Sequence, residues 1–397
     1  MDIFTIAIDA SRAVLANRTG IEEYSYRVIK SLRDELADER VVLYVRKQSL
    51  YEVASSVVYF DFDVPKNWEI RAIYAPRLWT QFRLALEMWI HPPEVLLVPA
   101  HTVPWIHPKK TVVVVHGLEY EFCPEAYSWW ERRYMRWSIR SACRWASRII
   151  AVSENTKRDL IRLYGIAEEK ISVVYEGIKE DSHASVSSKR TESNTKQFTE
   201  YRKCAASLVE QFFLSDRGKK PYFFFVGRIE HRKNISRMIE AFALVKKRCA
   251  LEYALVLAGG HGYGYHDIAR VKRLSSYASD IIELGYVSDD ERRELFIRSS
   301  GLVFPSLYEG FGLPILEAQM AGIPVLTSNT SSLPEVAGEN GAIFVDPSCV
   351  ESIADGMEKL ALNTVLRSGI LENGRRNTKR FSWEQCAKEI ADVVRSA

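Results

Sequence analysis

Short apolar runs rich in β-branched and aromatic residues alternate with helical patterns along most of the chain. This alternation is typical of α/β folds with parallel sheets. One run, Val112 to Val115, is apolar without interruption, as expected for a strand buried on both faces. The runs that we interpret as strands are Ile3–Asp9, Val41–Val45, Val95–Val98, Thr111–His116, Arg148–Val152 and Ile171–Tyr175 in the first half, and Tyr222–Val226, Leu255–Ala258, Ile281–Leu284, Leu302–Phe304, Val325–Thr327 and Ala342–Val345 in the second.

A polar, serine-rich stretch at residues 181–195 separates the two series of strands. It has no hydrophobic periodicity, so we interpret it as a flexible linker. Apolar residues that recur between Phe198 and Phe212 predict a helix that packs on the second half. At 397 residues, the chain is also long for a single core. We therefore predict a first domain at 1–178, a linker at 179–219, a second domain at 220–379 and a final helix at 380–397.

Charge and cysteine content argue against several classes of protein. The formal net charge of +3 does not by itself indicate a partner nucleic acid. The six cysteines are scattered, which disfavours a disulfide framework or zinc site and favours a reducing compartment. The N-terminus enters a strand at once, so we expect no signal peptide. The uncharged stretch from Val95 to Pro108 contains three prolines and two histidines, and it is too short and too broken to span a bilayer. We expect a cytoplasmic protein.

The segment from Leu302 to Ser328 contains a strand, a glycine-bearing loop and a helix that begins near Pro314. Unpaired amides and the helix dipole make such a helix start an anion site. Two carboxylates, Glu309 and Glu317, flank the same loop. Carboxylates repel an anion, so their presence beside an anion site is explained if they bind hydroxyl groups of the same ligand. We therefore predict a phosphorylated, hydroxyl-rich ligand.

Further loops in the second half follow predicted strands. Gly227 ends the first of them, and Arg228 and Lys233 precede the next helix, a pair of cations suited to a diphosphate. The alternative is a solvated turn in which Glu230 and Arg232 are incidental neighbours. Gly259 ends another strand, where glycine permits close approach of a ligand, and the backbone around Val287 is placed to contact a flat base. We expect no metal site among the nearby histidines.

In the first half, His116 follows a buried strand, and we interpret it as a substrate contact rather than a packed side chain. Gly20 begins an amphipathic helix and either lets the backbone approach a phosphate or acceptor or simply marks the helix start. Further along, arginines recur every fourth residue from Arg132 to Arg148, interleaved with tryptophans. This pattern suits an anionic membrane surface, and equally a half-buried helix whose arginines pair elsewhere.

These loops, in this order, resemble those of the retaining GT-B glycosyltransferases of family four, also called group 1. The matching motifs are Gly227-Arg228 with Lys233, Gly259-Gly260, Glu309 with Glu317 around Gly-Phe-Gly-Leu-Pro, and the segments 149–178 and 328–347. The resemblance covers nearly the whole chain except the serine-rich linker. It implies two facing Rossmann-like domains with parallel sheets, and a final helix that crosses back to the first domain.

The resemblance also implies a reaction and a set of site residues. The reaction is transfer of a sugar from a nucleotide-sugar donor with retention of configuration, without a bound metal or other cofactor. Arg228 and Lys233 would hold the donor diphosphate, and Glu317 the ribose hydroxyls. The sugar and phosphate would be addressed by Glu309 and by the amides of Phe311, Gly312 and Leu313, and His116 would contact the donor sugar near the reacting carbon.

The segments TGIEEY, RKN and SSLPEVAGENG look most like those of bacterial GDP-mannose-dependent mannosyltransferases of surface-polysaccharide assembly. We therefore expect mannose transfer from GDP-mannose to a glycan or polyprenyl-linked acceptor, with peripheral contact at the inner face of the membrane. A UDP- or dTDP-sugar donor stays open as an alternative. So does a non-catalytic, nucleotide-binding scaffold at a membrane surface.

Overall fold

The computed structural model describes residues 4–15, 18, 20–47, 59–75, 79–178 and 208–397. These residues form two compact units. Unit 1 contains the described residues of 4–121, 128–178 and 381–397. Unit 2 contains 122–127 and the described residues from 208 to 380. The serine-rich stretch and most of the helix predicted after it lie outside the described residues.

Unit 1 is built on a parallel sheet of seven described strands. They are β1 (Thr5–Asp9), β2 (Arg40–Lys47), β3 (Trp68–Tyr74), β4 (Val95–Val98), β5 (Lys110–Val115), β6 (Arg148–Ala151) and β7 (Ile171–Val173). Their order is β3-β2-β1-β4-β5-β6-β7, so β1 pairs with β2 on one side and β4 on the other. The strand order therefore reverses between β1 and β4, the position at which such sheets bind ligands.

Unit 2 contains a second parallel sheet, of six described strands. They are β8 (Tyr222–Val226), β9 (Ala254–Ala258), β10 (Ile281–Gly285), β11 (Gly301–Phe304), β12 (Val325–Ser328) and β13 (Ile343–Val345). The order β10-β9-β8-β11-β12-β13 repeats the reversal, here between β8 and β11. All five residues of β8 are buried, because both faces of the strand are covered.

Helices connect the strands of each sheet. In chain order they are α1 (Gly20–Glu35), α2 (Ala85–Ile90), α3 (Glu119–Phe122), α4 (Trp129–Trp145), α5 (Glu154–Tyr164), α6 (Ile235–Cys249), α7 (Tyr265–Leu274), α8 (Asp289–Arg298), α9 (Leu313–Met320), α10 (Leu333–Ala337), α11 (Val350–Leu362), α12 (Thr364–Thr378) and α13 (Trp383–Arg395). A π-helical segment, Trp79–Leu84, precedes α2. Within the described ranges, every helix is too short or too polar to cross a lipid bilayer.

The final helix, α13, belongs to unit 1 although the sequence before it lies in unit 2. Its buried residues include Trp383, Ile390 and Val394. At its end, Arg395 donates to the carbonyl of Glu35 at 2.7 Å and pairs with Glu39 at 2.7 Å. The predicted return of the last helix to the first domain is confirmed.

The predicted α/β class with two parallel sheets is confirmed, with strand limits that differ by a few residues at most. One strand, β3, was not predicted from the sequence. It is an edge strand whose Glu69 and Arg71 pair with each other at 2.8 Å, and these charges interrupt the apolar run. Of the helix predicted near Phe212, residues 208–214 are described and helical, with Val209 and Phe212 in the core of unit 2.

Candidate functional site

The site lies in unit 2, at the carboxyl ends of β8 and β11, where the strand order reverses. Two loops leave the sheet there, residues 227–234 after β8 and residues 305–312 after β11. In the first loop, His231–Lys233 form a single tight turn and Asn234 follows in a left-handed conformation with a φ of 62°. This turn places Lys233 directly before α6 and directs it towards the second loop.

Glu309 joins the two loops through ion pairs with two cations. Its Oε1 lies 2.5 Å from the Lys233 ammonium, and its Oε2 lies 2.9 Å from the Arg232 guanidinium. Arg232 also pairs with Glu230 at 2.8 Å and donates to the Tyr308 carbonyl at 3.1 Å. Lys233 and Glu309 are 9% and 8% exposed, so the charges are paired out of water. Such a network holds because each buried charge has a partner.

Neighbouring positive charges keep the Glu309 carboxylate ionised. Burial alone would raise its pKa, but the opposite charges of Lys233 and Arg232 outweigh burial and lower the pKa to about 2. Burial lowers the pKa of Lys233, and the charge of Arg232 adds to this effect while Glu309 opposes it. Glu309 is therefore a fixed negative charge at neutral pH, and it holds two cations at the edge of the sheet.

Other hydrogen bonds fasten the loop after β11 to its surroundings. Leu307 donates its amide to the Arg232 carbonyl at 2.9 Å. The Ser332 hydroxyl donates to the carbonyls of Glu309 and Phe311 at 2.9 and 2.7 Å. From the first loop, Asn234 donates its side-chain amide to Pro305 at 3.0 Å. Because the loop is held from two sides, its geometry is set before any ligand arrives.

Glycines end the three adjacent strands β8, β9 and β10 at the same edge. The Gly227 amide donates to Ala258 at 2.9 Å, and the Gly259 amide donates to Gly285 at 2.7 Å. Gly259 has a φ of 140°, and a Cβ there would lie 1.9 Å from the Gly227 carbonyl oxygen. Only glycine fits a backbone conformation and an approach of this kind. The ends of β8 and β9 therefore lie close together, and with no side chain on either glycine their backbone is accessible to a ligand.

Two features at this edge offer positive charge to a ligand. Arg228 follows Gly227 directly and is exposed, and no ion pair to it exists among the residues that the structure describes. The helix α9 begins at Leu313 after Gly312, with no side chain of the described residues capping it. Pro314 has no N–H and the Ile315 amide donates to the Gly312 carbonyl at 3.0 Å, so the Leu313 amide and the helix dipole are what favour an anion here. A parallel sheet has a crevice at its carboxyl edge where the strand order reverses, and Arg228, Lys233 and this helix start all follow the two strands of the reversal. Their combination at this crevice suits a diphosphate.

The structure places the remaining predicted residues of unit 2 around the same edge. Glu317 lies in α9 and pairs with Arg292 of α8 at 3.3 Å. Phe311 is buried at 5% exposure, in the loop before α9. Val287 is 9% exposed and follows the end of β10, one residue before the Ser288 cap of α8. Their roles towards sugar, ribose and base stay predictions.

In unit 1, His116 follows β5, and its ring is held on both sides. Its Nε2 lies 2.8 Å from the Pro99 carbonyl, and its Nδ1 lies 3.5 Å from the Glu176 carboxylate. The ring also meets Tyr24 edge-on at 4.5 Å. Both nitrogens thus have protein neighbours, and contact with a donor sugar stays a prediction for His116.

Gly20 is the first residue of α1, as predicted, and Glu22 and Glu23 lie in the first turn. Glu22 pairs with Arg12 at 3.0 Å, and Glu23 pairs with Arg27 at 2.6 Å. A Cβ at Gly20 would meet nothing within 4 Å. The packing of the chain itself therefore does not require glycine at this position.

Comparison with known proteins identifies the family. A model described as "Glycosyl transferases group 1" matches residues 209–377, and one described as "Glycosyltransferase Family 4" matches residues 18–182. An O-antigen chain mannosyltransferase B of Escherichia coli is 30% identical over 287 residues, covering 72% of this chain and 70% of that protein. The chain belongs to the group 1 glycosyltransferases.

Other relatives agree with this assignment. The group 1 glycosyltransferase described here is 30% identical over 297 residues to the serotype-specific mannosyltransferase WbdA of Escherichia coli, covering 73% of this chain but 33% of that protein. It resembles the structure of HepE from Anabaena in complex with UDP and glucose, with a TM-score of 0.70, 16% identity and 99% of both chains covered. The likeness to HepE shows that the two proteins share a GT-B fold.

Sequence reasoning missed Arg232 in this glycosyltransferase. In the sequence, Arg232 figures only as an incidental neighbour in the alternative of a solvated turn. In the structure it bridges Glu230, Glu309 and the Tyr308 carbonyl. Nothing in the local sequence separates it from a solvated arginine, because its partner Glu309 is 77 residues away. The serine that fastens the loop, Ser332, was missed for the same reason. Among the described residues, no group of His, Cys, Asp or Glu side chains could hold a metal ion.

Proposed function

We propose that this chain is a retaining mannosyltransferase that moves mannose from GDP-mannose to a glycan or polyprenyl-linked acceptor in surface-polysaccharide synthesis. The observation that carries the proposal is the crevice at the reversal of the second sheet. There the exposed Arg228 and the start of α9 lie at the edge that Lys233 and Glu309 hold together. The crevice suits the diphosphate of a nucleotide-sugar, whatever its base.

The relatives support mannose and a polysaccharide product. Two proteins at 30% identity are named as mannosyltransferases, one of them for O-antigen chains. The choice of GDP rests on the likeness of short segments to GDP-mannose-dependent enzymes. HepE, whose fold is similar, is described in complex with UDP, and a UDP- or dTDP-sugar is the alternative donor.

The chemistry needs stabilisation of the leaving diphosphate. Negative charge grows on this group as the bond to the sugar breaks, and preplaced cations and amides stabilise it without rearrangement. Arg228, Lys233, the Leu313 amide and the dipole of α9 would supply this stabilisation, so that a metal ion is not required. Glu309 would keep Lys233 in place and address the sugar, and Glu317 would hold the ribose hydroxyls. Retention would follow from attack on the same face that the leaving phosphate vacates.

Thermal unfolding with nucleotides tests the proposal. A ligand that binds only the folded state, at about 100 times its dissociation constant, adds roughly 2.7 kcal/mol of stability. We expect GDP and GDP-mannose to raise the Tm more than UDP, dTDP and their sugar conjugates, with the same shift in EDTA. Preference for another nucleotide would discard the donor but keep the reaction class. No shift with any nucleotide would contradict the proposal and favour a non-enzymatic role.

We also propose that an aromatic surface on α4 contacts an anionic membrane. Trp129, Trp130 and Trp137 are 59%, 74% and 43% exposed, while the opposite face of the helix is buried. Arg133 lies over the Trp129 ring, 4.9 Å from its centre. Exposed tryptophans next to arginine suit the interface between lipid headgroups and water.

The regular arginines of this helix contribute less to that surface than the sequence suggests. Arg132 and Arg136 pair with Glu121, and Arg140 lies over the Tyr164 ring at 5.1 Å. At the end of the pattern, Arg148 donates to the Glu169 carbonyl at 2.9 Å. The pairing of these arginines within unit 1 is the alternative that the sequence left open. The exposed tryptophans are what supports membrane contact.

A further inference from the structure

Arg232 makes contacts in unit 2 that the reaction described above does not use. Its guanidinium donates to Oε2 of Glu309 at 2.9 Å, to Oε1 of Glu230 at 2.8 Å and to the Tyr308 carbonyl at 3.1 Å. Its own carbonyl accepts from the Leu307 amide at 2.9 Å. The planar fork of an arginine suits several acceptors that are held in fixed positions. Arg232 therefore ties the loop after β8 to the loop after β11 through both its side chain and its backbone.

Glu230, Arg232, Glu309 and Lys233 form a row of alternating charges. All four side chains are 17% exposed or less, so salt and water screen the row only weakly. Arg232 lies between the two carboxylates, which neutralise its charge. Lys233 stands at the end of the row, where Glu309 is its ion-pair partner. Arg232 therefore offers little net charge to a phosphate, whereas Lys233 can bind one.

Lys233 has two tasks in the proposed donor site. Its ammonium lies 2.5 Å from Oε1 of Glu309, and it is also expected to bind the diphosphate. An ammonium has three donors, and within the described part of the chain the side chain of Lys233 uses one of them, on Glu309. When a phosphate takes another donor, the charge of Lys233 is divided between two anions. Its attraction to Glu309 therefore weakens as the donor binds.

A bound diphosphate would also bring negative charge close to Glu309. A like charge favours protonation of a carboxylate, and an opposite charge disfavours it. Burial raises the pKa of Glu309, and the charges of Lys233 and Arg232 outweigh burial and lower the pKa to about 2. Of the residues that the structure describes, these two cations face Glu309, with Glu230 behind Arg232. Once Lys233 is shared with a diphosphate, Arg232 is the cation that stays with Glu309.

We propose that Arg232 is a positioning residue, which keeps the Glu309 carboxylate charged and in place for the donor sugar while Lys233 binds the diphosphate. The assignment rests on the proposed function, in which Glu309 addresses the sugar. Arg232 itself touches neither the sugar nor the phosphates and acts through Glu309. Its loss should therefore weaken the binding of a nucleotide-sugar and leave the binding of the nucleotide alone unchanged.

Binding of GDP and of GDP-mannose to variants of Arg232 tests the inference. The two dissociation constants, measured by calorimetric titration, give a ratio that reports the contribution of the mannose. In Arg232→Gln, GDP should bind as in wild type and GDP-mannose at least about tenfold more weakly, as expected when one charged hydrogen bond is displaced. Arg232→Lys keeps a cation beside Glu309 and should recover part of the lost affinity.

Two further variants make the comparison specific. Glu230→Gln combined with Arg232→Gln removes one charge of each sign and leaves no unpaired carboxylate at residue 230, so it replaces Arg232→Gln if that variant does not fold. The double variant should bind both ligands as Arg232→Gln does. Arg248→Gln is the matched control, because it breaks an exposed ion pair with Asp355 at 2.8 Å near the end of α6. Its two dissociation constants should equal those of wild type.

The outcomes separate this inference from the proposed function. If Arg232→Gln loses affinity for GDP and GDP-mannose alike, Arg232 binds the phosphates and the inference is wrong. Wild-type affinity of Arg232→Gln for GDP-mannose also overturns it, and in both cases the proposed function stands. If wild-type protein binds no nucleotide, the proposed function fails and this inference fails with it. If another nucleotide binds in place of GDP, the same ratio is measured with that nucleotide and its sugar conjugate.

Discussion

The Lys233 ammonium lies 2.5 Å from Oε1 of Glu309, a residue 76 positions further along the chain. This contact joins the loops after β8 and β11, the two strands between which the order of the second sheet reverses. Both residues are buried, so if one of them is replaced, water cannot solvate the charge that is left on the other. The pair therefore holds together the two loops on which the proposed donor site depends.

Replacing Glu309 by Gln should destabilise the protein by about 3–5 kcal/mol, the cost of breaking a buried ion pair on one side. Transfer should be lost as well. The depressed pKa of about 2 means that the contribution of Glu309 is present above its ordinary value of 4.5 and is lost as the pH falls towards 2. Urea unfolding between pH 7 and pH 3 measures the loss of stability and its pH dependence, and a transfer assay measures activity. The Gln variant should lack this part of the acid-induced loss of stability.

The control is Glu294→Gln, which removes one partner of an exposed ion pair with Arg298 at 2.6 Å. Surface pairs contribute about 0–1 kcal/mol, so this variant should unfold almost as wild type does. Equal stability of the two Gln variants would mean that Glu309 is not the charge that holds Lys233 and Arg232.

Replacing Arg228 by Gln should weaken nucleotide binding and leave folding unchanged. The side chain is exposed and has no ion pair among the described residues, so its loss costs the fold little. A hydrogen bond to a charged group contributes about 1.5–3 kcal/mol, which sets the expected loss for GDP. Calorimetric titration measures it. Arg273→Gln, an exposed arginine on α7, is the control and should bind GDP as wild type does.

Much of the fold is predictable because most strands are buried on both faces. Such strands must be apolar throughout, and a run such as Val112–Val115 has few alternatives once turns flank it. The edge strand β3 has no such requirement, and its Glu69 and Arg71 make it look like a loop in the sequence. The limit of prediction is thus set by how much of a strand is buried.

The site divides in the same way. Residue types at strand ends, such as Arg228 and the glycines after β8 and β9, can be predicted because parallel strands end at one edge. The pairing of charges cannot be predicted in this way, since it depends on the directions of side chains from loops that are distant in sequence. Arg232 and Lys233 are neighbours in sequence, and only their shared contact with Glu309 shows that both belong to the site.

Gly259→Ala should destabilise unit 2. The new Cβ would lie 1.9 Å from the Gly227 carbonyl oxygen, and the φ of 140° is strained for alanine. We expect a loss of more than about 1 kcal/mol, because the backbone between β8 and β9 must move.

Gly20→Ala is the contrasting variant: with open space around it, it should keep wild-type stability but lose transferase activity. Wild-type activity of Gly20→Ala would mean that Gly20 only begins α1.

The stability of unit 1 should fall in mild acid because of His101. Burial lowers its folded pKa to about 4, against an ordinary value of 6.5. The unfolded chain therefore binds a proton first as the pH falls below 6.5, and stability decreases until the pH reaches about 4. The loss is on the order of 3 kcal/mol at most. His101→Gln should flatten this part of the stability curve, and an unchanged slope in the variant would place the titrating group elsewhere.

The aromatic surface of α4 should decide binding to lipid. Trp130→Ala removes the most exposed of its tryptophans, at 74% exposure, and should reduce cosedimentation with vesicles containing anionic lipid. Binding through exposed aromatics and arginine should also weaken in vesicles of neutral lipid and in high salt. Leu214→Ala, at 81% exposure in unit 2, is the matched control. If Trp130→Ala and Leu214→Ala sediment with vesicles equally, α4 is simply a half-buried helix whose arginines serve unit 1.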